Sequence, residues 1–297
     1  MSPILKNVGY CILTFIAKVL IRLRLIDNLV IVRIDGGICS QMLFYLVGMY
    51  FKEKGYRVKY SIDWFSTDGR DINGVFVRNF DLLKAFPDLV FEKSSRIENI
   101  LYKAFKYKST DRWMQSSPPC FLCGYYCLPN LPEYLARYFF LNLNSLDTTN
   151  RNLYNEILQR GNTVAVHVRR GDLSISLPAY GDPASIEYFR LAVNYIETNL
   201  KNSFYYFFSD EPHWVREFLI NQLDIEGQYK IVDFNGSDKG FMDLMLIAAC
   251  SHQITSQGSL GLYGAILNDN PSKIVICDKH SIRNRDILSS MRGIIYL

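Results

Sequence analysis

Two arginines stand side by side in His167-Val168-Arg169-Arg170-Gly171-Asp172, directly after the apolar run TVAVHV at residues 163–168. Each guanidinium is permanently charged and offers a planar fork of N–H donors, which grips a phosphate through paired hydrogen bonds. Gly171 allows a tight turn, and Asp172 can orient one of the arginines. On chemistry alone the string reads either as an anion site suited to a diphosphate or as a surface ion-pair cluster. A second group, Asp35-Gly36-Gly37, follows the run LVIVRI at 29–34 and precedes a helix-like stretch at 41–54. A strand that ends in glycines before a helix is how nucleotide-binding folds approach phosphate. Neither G-x-G-x-x-G nor G-x-x-x-x-G-K-[ST] is present. Asp35 could act as a general base toward a hydroxyl, or serve only in the turn. Cys120, Cys123 and Cys127 have the spacing of three zinc ligands, yet no fourth lies near them in the sequence. Buried thiols are therefore the better reading. No D-x-D occurs, so no closely spaced carboxylate pair is evident to hold a divalent ion on a diphosphate.

These groups need a scaffold, and the text around them alternates between strand and helix. Strands are predicted at 29–34, 56–62, 163–168, 204–208, 229–232, 253–255 and 273–277. Helices are predicted at 41–54, 79–86, 131–140, 240–250 and 259–267. Asp182 and Pro183 read as an N-cap and first helical residue, leading into Ile186, Phe189, Val193, Ile196 and Leu200 at helical spacing. The run FYYFF at 204–208 is continuously apolar, as a strand buried on both faces must be. Alternation of this kind predicts an α/β fold with doubly wound parallel sheets. The polar stretch LDTTNRN at 146–152 reads as a linker between two domains, 27–147 and 148–297.

Composition narrows the class. With 49% hydrophobic and 21% charged residues, the chain can build a core, which excludes general disorder. A net charge of +4 is too weak to argue for nucleic acid. Seven cysteines, an odd number irregularly spaced, do not form a disulfide framework and fit a reducing compartment. Residues 1–26 mix Ile, Leu and Phe with Lys6, Lys18, Arg22 and Arg24. The uncharged run is too short to cross a bilayer, and the pattern fits a basic amphipathic helix on an anionic membrane surface. The alternative is a first helix packed on the protein itself.

His167-Val168-Arg169-Arg170-Gly171-Asp172 resembles the H-x-R-R-x-D motif of α1,2-, α1,6- and protein O-fucosyltransferases. Its form is most similar to the bacterial α1,2-fucosyltransferases of glycosyltransferase family 11. Other pieces follow in that family's order: GGICSQM at 36–42, Gly124-Tyr125-Tyr126, Phe208-Ser209-Asp210-Glu211, FMDLMLIAAC at 241–250, and ITSQGSLGLYGAIL at 254–267. The resemblance implies a GT-B fold of two Rossmann-like domains with parallel sheets, acceptor-side first and donor-side second. It implies transfer of L-fucose from GDP-fucose, with inversion, to a sugar hydroxyl such as O2 of galactose, in O-antigen or capsule synthesis. Arg169 and Asp172 would be catalytic. His167, Arg169, Arg170, Asp210, Ser256 and Ser259 would bind the donor, with Asp210 reaching the base. Gly36, Gly37, Ser40 and Gln41 would form a loop near donor and acceptor. No cofactor or metal is expected. The expected partners are a GDP-sugar, a lipid-linked oligosaccharide acceptor and the cytoplasmic face of the inner membrane. Three departures stand out: Cys39 and Ser40 replace Gly and Asn, Cys127 replaces Gln, and Gly261-Leu262-Tyr263 replaces Ser-Trp-Trp. They leave open another GDP-sugar as donor, or a non-catalytic glycan-binding role.

Overall fold

The computed structural model describes residues 3–70, 77–107, 112–124, 126–171, 173–174, 181–225, 228–281, 287, 291 and 293–297. The chain divides into two compact units, one built mainly from 1–71 and 88–129 and the other mainly from 130–297.

The first unit carries a parallel sheet of β1 (Val30–Arg33), β2 (Val58–Ser61) and β3 (Cys120–Leu122), in the order β2-β1-β3. In β1, Val30, Ile31 and Val32 are fully buried, which explains the unbroken apolar run of this central strand. The helix Ile38–Glu53 starts after a four-residue connection from the end of β1 at Arg33 and buries eleven of its sixteen residues. The first helix, Pro3–Arg22, is partly a core element. Ala17 is fully buried, and Ile21 and Ile26 pack on Leu29, Ile31, Tyr102 and Phe121. Ile12, Phe15, Ile16, Val19 and Leu23 of this segment are exposed. Among the described residues no helix is long and apolar enough to cross a membrane.

The second unit is a six-stranded parallel sheet in the order β6-β5-β4-β7-β8-β9. Its strands are β4 (Thr163–Val168), β5 (Phe204–Ser209), β6 (Tyr229–Val232), β7 (His252–Thr255), β8 (Val275–Cys277) and β9 (Ile294–Tyr296). Side chains alternate between two covered faces, as a strand's period of two requires. Val164, Val166, Val168, Tyr205 and Phe207 pack with Phe189, Val193 and Ile196 of the helix Ile186–Asn199. Ala165, Tyr206 and Phe208 pack with Leu153, Ile157, Leu246 and Ile247 of two other helices. Strand order runs outward from β4 in both directions, so the chain reverses between β4 and β7. Ligands of such sheets bind outside the carboxyl ends of the strands at that reversal.

Several elements differ from expectation. Residues 148–152 are the start of the helix Thr148–Gln159, with Asp147 as N-cap accepting from the Asn150 amide at 2.9 Å. A polar N-terminal turn had the composition of a linker. The helix foreseen from Asp182 begins at Ile186, because Ser185 caps it by accepting the Tyr188 amide at 3.1 Å. The helix foreseen at 79–86 is only Leu82–Ala85.

Candidate functional site

The arginine pair sits at the reversal of the second sheet, between the ends of β5 and β7. On the β7 side, Ser256 Oγ accepts the Arg169 backbone N–H at 3.0 Å and lies 3.4 Å from His167 Nδ1. Ser256 is fully buried, so it fastens the end of β7 to the end of β4. His167 is only 4% exposed. Burial, with the nearby positive charge of Arg169, holds its imidazole down to a pKa of about 3, so it is neutral across the working range. His167, which the resemblance places beside a nucleotide, is packed against Ser256 and the helix Ser259–Leu267. A Cβ on Gly261 would stand 2.7 Å from His167 Cβ, so only glycine lets the helix Ser259–Leu267 lie against this ring. Leu262 and Tyr263 are buried, so the segment in place of Ser-Trp-Trp faces the core. Gly258 has φ +86° and would put a Cβ 3.6 Å from Arg169 Cγ, bringing the start of the helix, with half-buried Ser259, beside that side chain.

On the β5 side, Asp210 Oδ1 accepts the Arg170 backbone N–H at 2.9 Å, and Oδ2 lies 3.4 Å from Arg169 Nε. Asp210, which the resemblance assigns to the base, thus lies against both residues of the arginine pair. Ser209 Oγ donates to the Val168 carbonyl at 2.8 Å and accepts the Glu211 N–H at 3.0 Å. Two residues absent from the expected site complete it. Arg170 Nε donates to Glu211 Oε2 at 3.2 Å, and the Arg170 guanidinium carbon lies 3.8 Å from the centroid of the Trp214 ring. Glu211 was legible as the acid following Asp210; Trp214 carried no signal of its own. Asp172 lies outside the described residues.

Gly36, Gly37, Ser40 and Gln41 belong to the first unit, at the carboxyl end of β1, where the order β2-β1-β3 also reverses. Gly36 has φ +73°, and a Cβ there would press on Ser40 at 3.0 Å. Gln41 is fully buried. Its amide nitrogen donates to the Gly36 carbonyl at 3.0 Å and the Asn79 carbonyl at 2.8 Å. Gln41 therefore fastens the loop from beneath. A side chain at Gly37 would meet Arg78 Nη1 at 3.8 Å, which adds an unforeseen cation to this loop. Asp35 is buried, and its Oδ2 takes both Arg33 Nε at 2.9 Å and Arg33 Nη2 at 2.6 Å. Burial raises its pKa above the ordinary carboxylate value, with Arg33 opposing. Cys120 is buried, Cys123 half-buried and Cys127 exposed, all three as free thiols. Among the described residues, no group of three or more His, Cys, Asp and Glu could hold a metal ion.

The chain is similar to the O-antigen biosynthesis glycosyltransferase WbnK of Escherichia coli, 26% identical over 142 residues, which span 46% of each chain. The match thus reaches less than half of that relative's length. It is also similar to an alpha-1,2-colitosyltransferase of Escherichia coli, 20% identical over 276 residues, covering 84% of this chain and 91% of the relative. A solved structure of the alpha-1,6-fucosyltransferase NodZ, co-crystallised with GDP, covers 80% of this chain and 92% of its own at 15% identity and a TM-score of 0.46. The family described as Glycosyl transferase family 11 matches residues 94–286. That span contains the arginine pair, both strands that fasten it and the helix that covers His167, and by this match the chain belongs to glycosyltransferase family 11.

Proposed function

We propose that the protein transfers L-fucose from GDP-fucose, with inversion, to a sugar hydroxyl, O2 of galactose being the favoured position, in the synthesis of a bacterial surface polysaccharide. The observation that carries this reading is the placement of Arg169 and Arg170 at the strand-order reversal of the second sheet. In transfer, the bond between the sugar C1 and the β-phosphate oxygen breaks and the electron pair stays on GDP. The acceptor oxygen bonds to C1 and loses its proton. Negative charge therefore grows on the diphosphate, and a preformed guanidinium stabilises it without solvent reorganisation. Asp210, fixed beside Arg169 and bonded to the Arg170 amide, keeps that cation in place. The relative named for colitosyl transfer matches over most of the chain and favours, as second reading, a GDP-linked sugar other than fucose. The acceptor would be a lipid-linked oligosaccharide, met by a protein seated on the cytoplasmic face of the inner membrane.

Calorimetry with GDP tests the donor site. Arg169→Ala should weaken binding by the loss of a charged hydrogen bond, about 1.5–3 kcal/mol, and abolish turnover. Wild-type affinity in a folded Arg169→Ala protein would sink the assignment. GDP release measured across a panel of GDP-sugars separates fucose from its rivals. Because the arginines neutralise the leaving group, turnover should persist in a chelator; loss in EDTA with recovery on adding Mg²⁺ or Mn²⁺ would rule out the metal-free reading.

A further inference from the structure

We propose that Trp214 and Glu211 are positioning residues of the donor site, acting through Arg170. This rests on the reading of the arginine pair as the diphosphate site. Arg170 is gripped on several sides. Its backbone N–H is held by Asp210, its carbonyl accepts the Ser174 amide at 2.8 Å, and its Nε is held by Glu211. Its guanidinium lies over the Trp214 ring. A flexible arginine pays a large rotamer entropy to become a ligand; one already stacked and bonded through Nε pays much less.

The grip is itself anchored. Trp214 packs against the buried cluster that contains Val164, Val166 and Phe207, and stacks on Phe218 at 6.4 Å between centroids. It opens the π-helical turn Val215–Leu219, a wide turn that often marks functional positions. The Glu211 amide is tied to Ser209 Oγ, which is tied to the Val168 carbonyl, so the carboxylate is referenced to the β4 strand end. Among the described residues, the two terminal nitrogens of Arg170 have no hydrogen-bond partner. They form the flat edge of the guanidinium that meets paired phosphate oxygens. The side chain is a quarter exposed or less, so that edge operates in a partly desolvated setting.

The test is a double-mutant cycle on GDP affinity and on donor KM. Trp214→Leu should weaken GDP binding about tenfold, in line with a partly desolvated cation–π contact, whereas Trp214→Phe keeps a ring face and should retain most of the affinity. Glu211→Gln should act in the same direction. In an Arg170→Ala background, neither Trp214→Leu nor Glu211→Gln should cost anything further, because their effect passes through the guanidinium. A merely structural tryptophan would cost the same in both backgrounds, and additive losses would overturn the proposal. If Trp214→Leu fails to fold, the Glu211→Gln arm of the cycle decides alone. The outcomes also separate the two readings: wild-type GDP affinity in a folded Arg169→Ala protein overturns the donor site, while weakened binding in both Arg169→Ala and Arg170→Ala with an additive cycle overturns only the positioning role.

Discussion

At Gly261 there is room for a hydrogen atom and nothing larger. A methyl group would come within 2.7–2.9 Å of three atoms of His167, so the helix Ser259–Leu267 would have to move off β4. The residues just before that helix include Ser256, whose hydroxyl holds the Arg169 amide, and Gly258, where a Cβ would meet the Arg169 side chain. Gly261→Ala is therefore expected to destabilise the protein by about 1–3 kcal/mol, as overpacking does, and also to weaken GDP binding. Thermal melts and calorimetry on the same sample read both; unchanged affinity would show that the helix does not set the position of Arg169. The arginine pair was legible in the sequence because its chemistry is local. The contacts that His167, Gln41 and Asp210 make within the fold were not. A motif gives residue types, and only strand register decides that His167 points under a helix while Arg169 and Arg170 lie beyond the strand end.

The elements that were readable are those that are buried on both faces or strongly periodic. The runs at 163–168 and 204–208 are strands with nearly those bounds, and the helix at 259–267 is as foreseen. The three-residue strands β3 and β9 escaped notice, since so short an apolar run carries no period. The first helix shows why a single label can mislead. One side, through Ala17 and Ile21, belongs to the core of the first unit, joined by Ile26 beyond the helix end, while Phe15 is 70% exposed and Ile12, Ile16, Val19 and Leu23 are exposed with it. Residues 12, 16, 19 and 23 recur at helical spacing, beside exposed Lys18, Arg22 and Arg24. Deleting 1–26 would uncover Leu29, Ile31, Tyr102 and Phe121, so point changes are the cleaner test of membrane seating. The double change Phe15→Glu and Val19→Glu should leave the melting temperature near that of the wild type and abolish co-sedimentation with anionic liposomes. Wild-type binding should itself weaken with salt, each basic residue contributing about 1 kcal/mol. A wild-type chain that ignores anionic liposomes would overturn this face as a membrane contact.

At the scale of the whole molecule, alternation of strand and helix foretold two parallel α/β units, but the division between them falls near residue 130, at the short turn Pro129-Asn130 before a helix. The polar stretch that seemed to mark it opens a helix whose first turn joins a partly buried network instead. Asn150 Nδ2 donates to Asn235 Oδ1 at 2.9 Å, and Asn235 Nδ2 donates to Asn150 Oδ1 and to Asp243 Oδ1, both at 2.7 Å. Burial pushes the Asp243 carboxyl from 3.8 up to about 7, with the Asn235 hydrogen bond opposing. A raised folded-state pKa means that the protonated acid is the form the fold prefers. Its contribution to stability is therefore fully present below about pH 4 and is lost as pH rises through 7. His167 and His252, whose pKa values burial lowers, act in the opposite sense, losing stability as pH falls below their unfolded value of 6.5. Comparison with Asp243→Asn cancels the histidines, which both proteins share. The amide is neutral at every pH and keeps a carbonyl oxygen to accept from Asn235. Urea midpoints from pH 5 to 8 should show Asp243→Asn gaining on the wild type as pH rises, with most of the change between pH 5 and 7. Parallel midpoint curves would show that Asp243 is charged in the folded protein throughout, and that the Asn150–Asn235 network accommodates the anion.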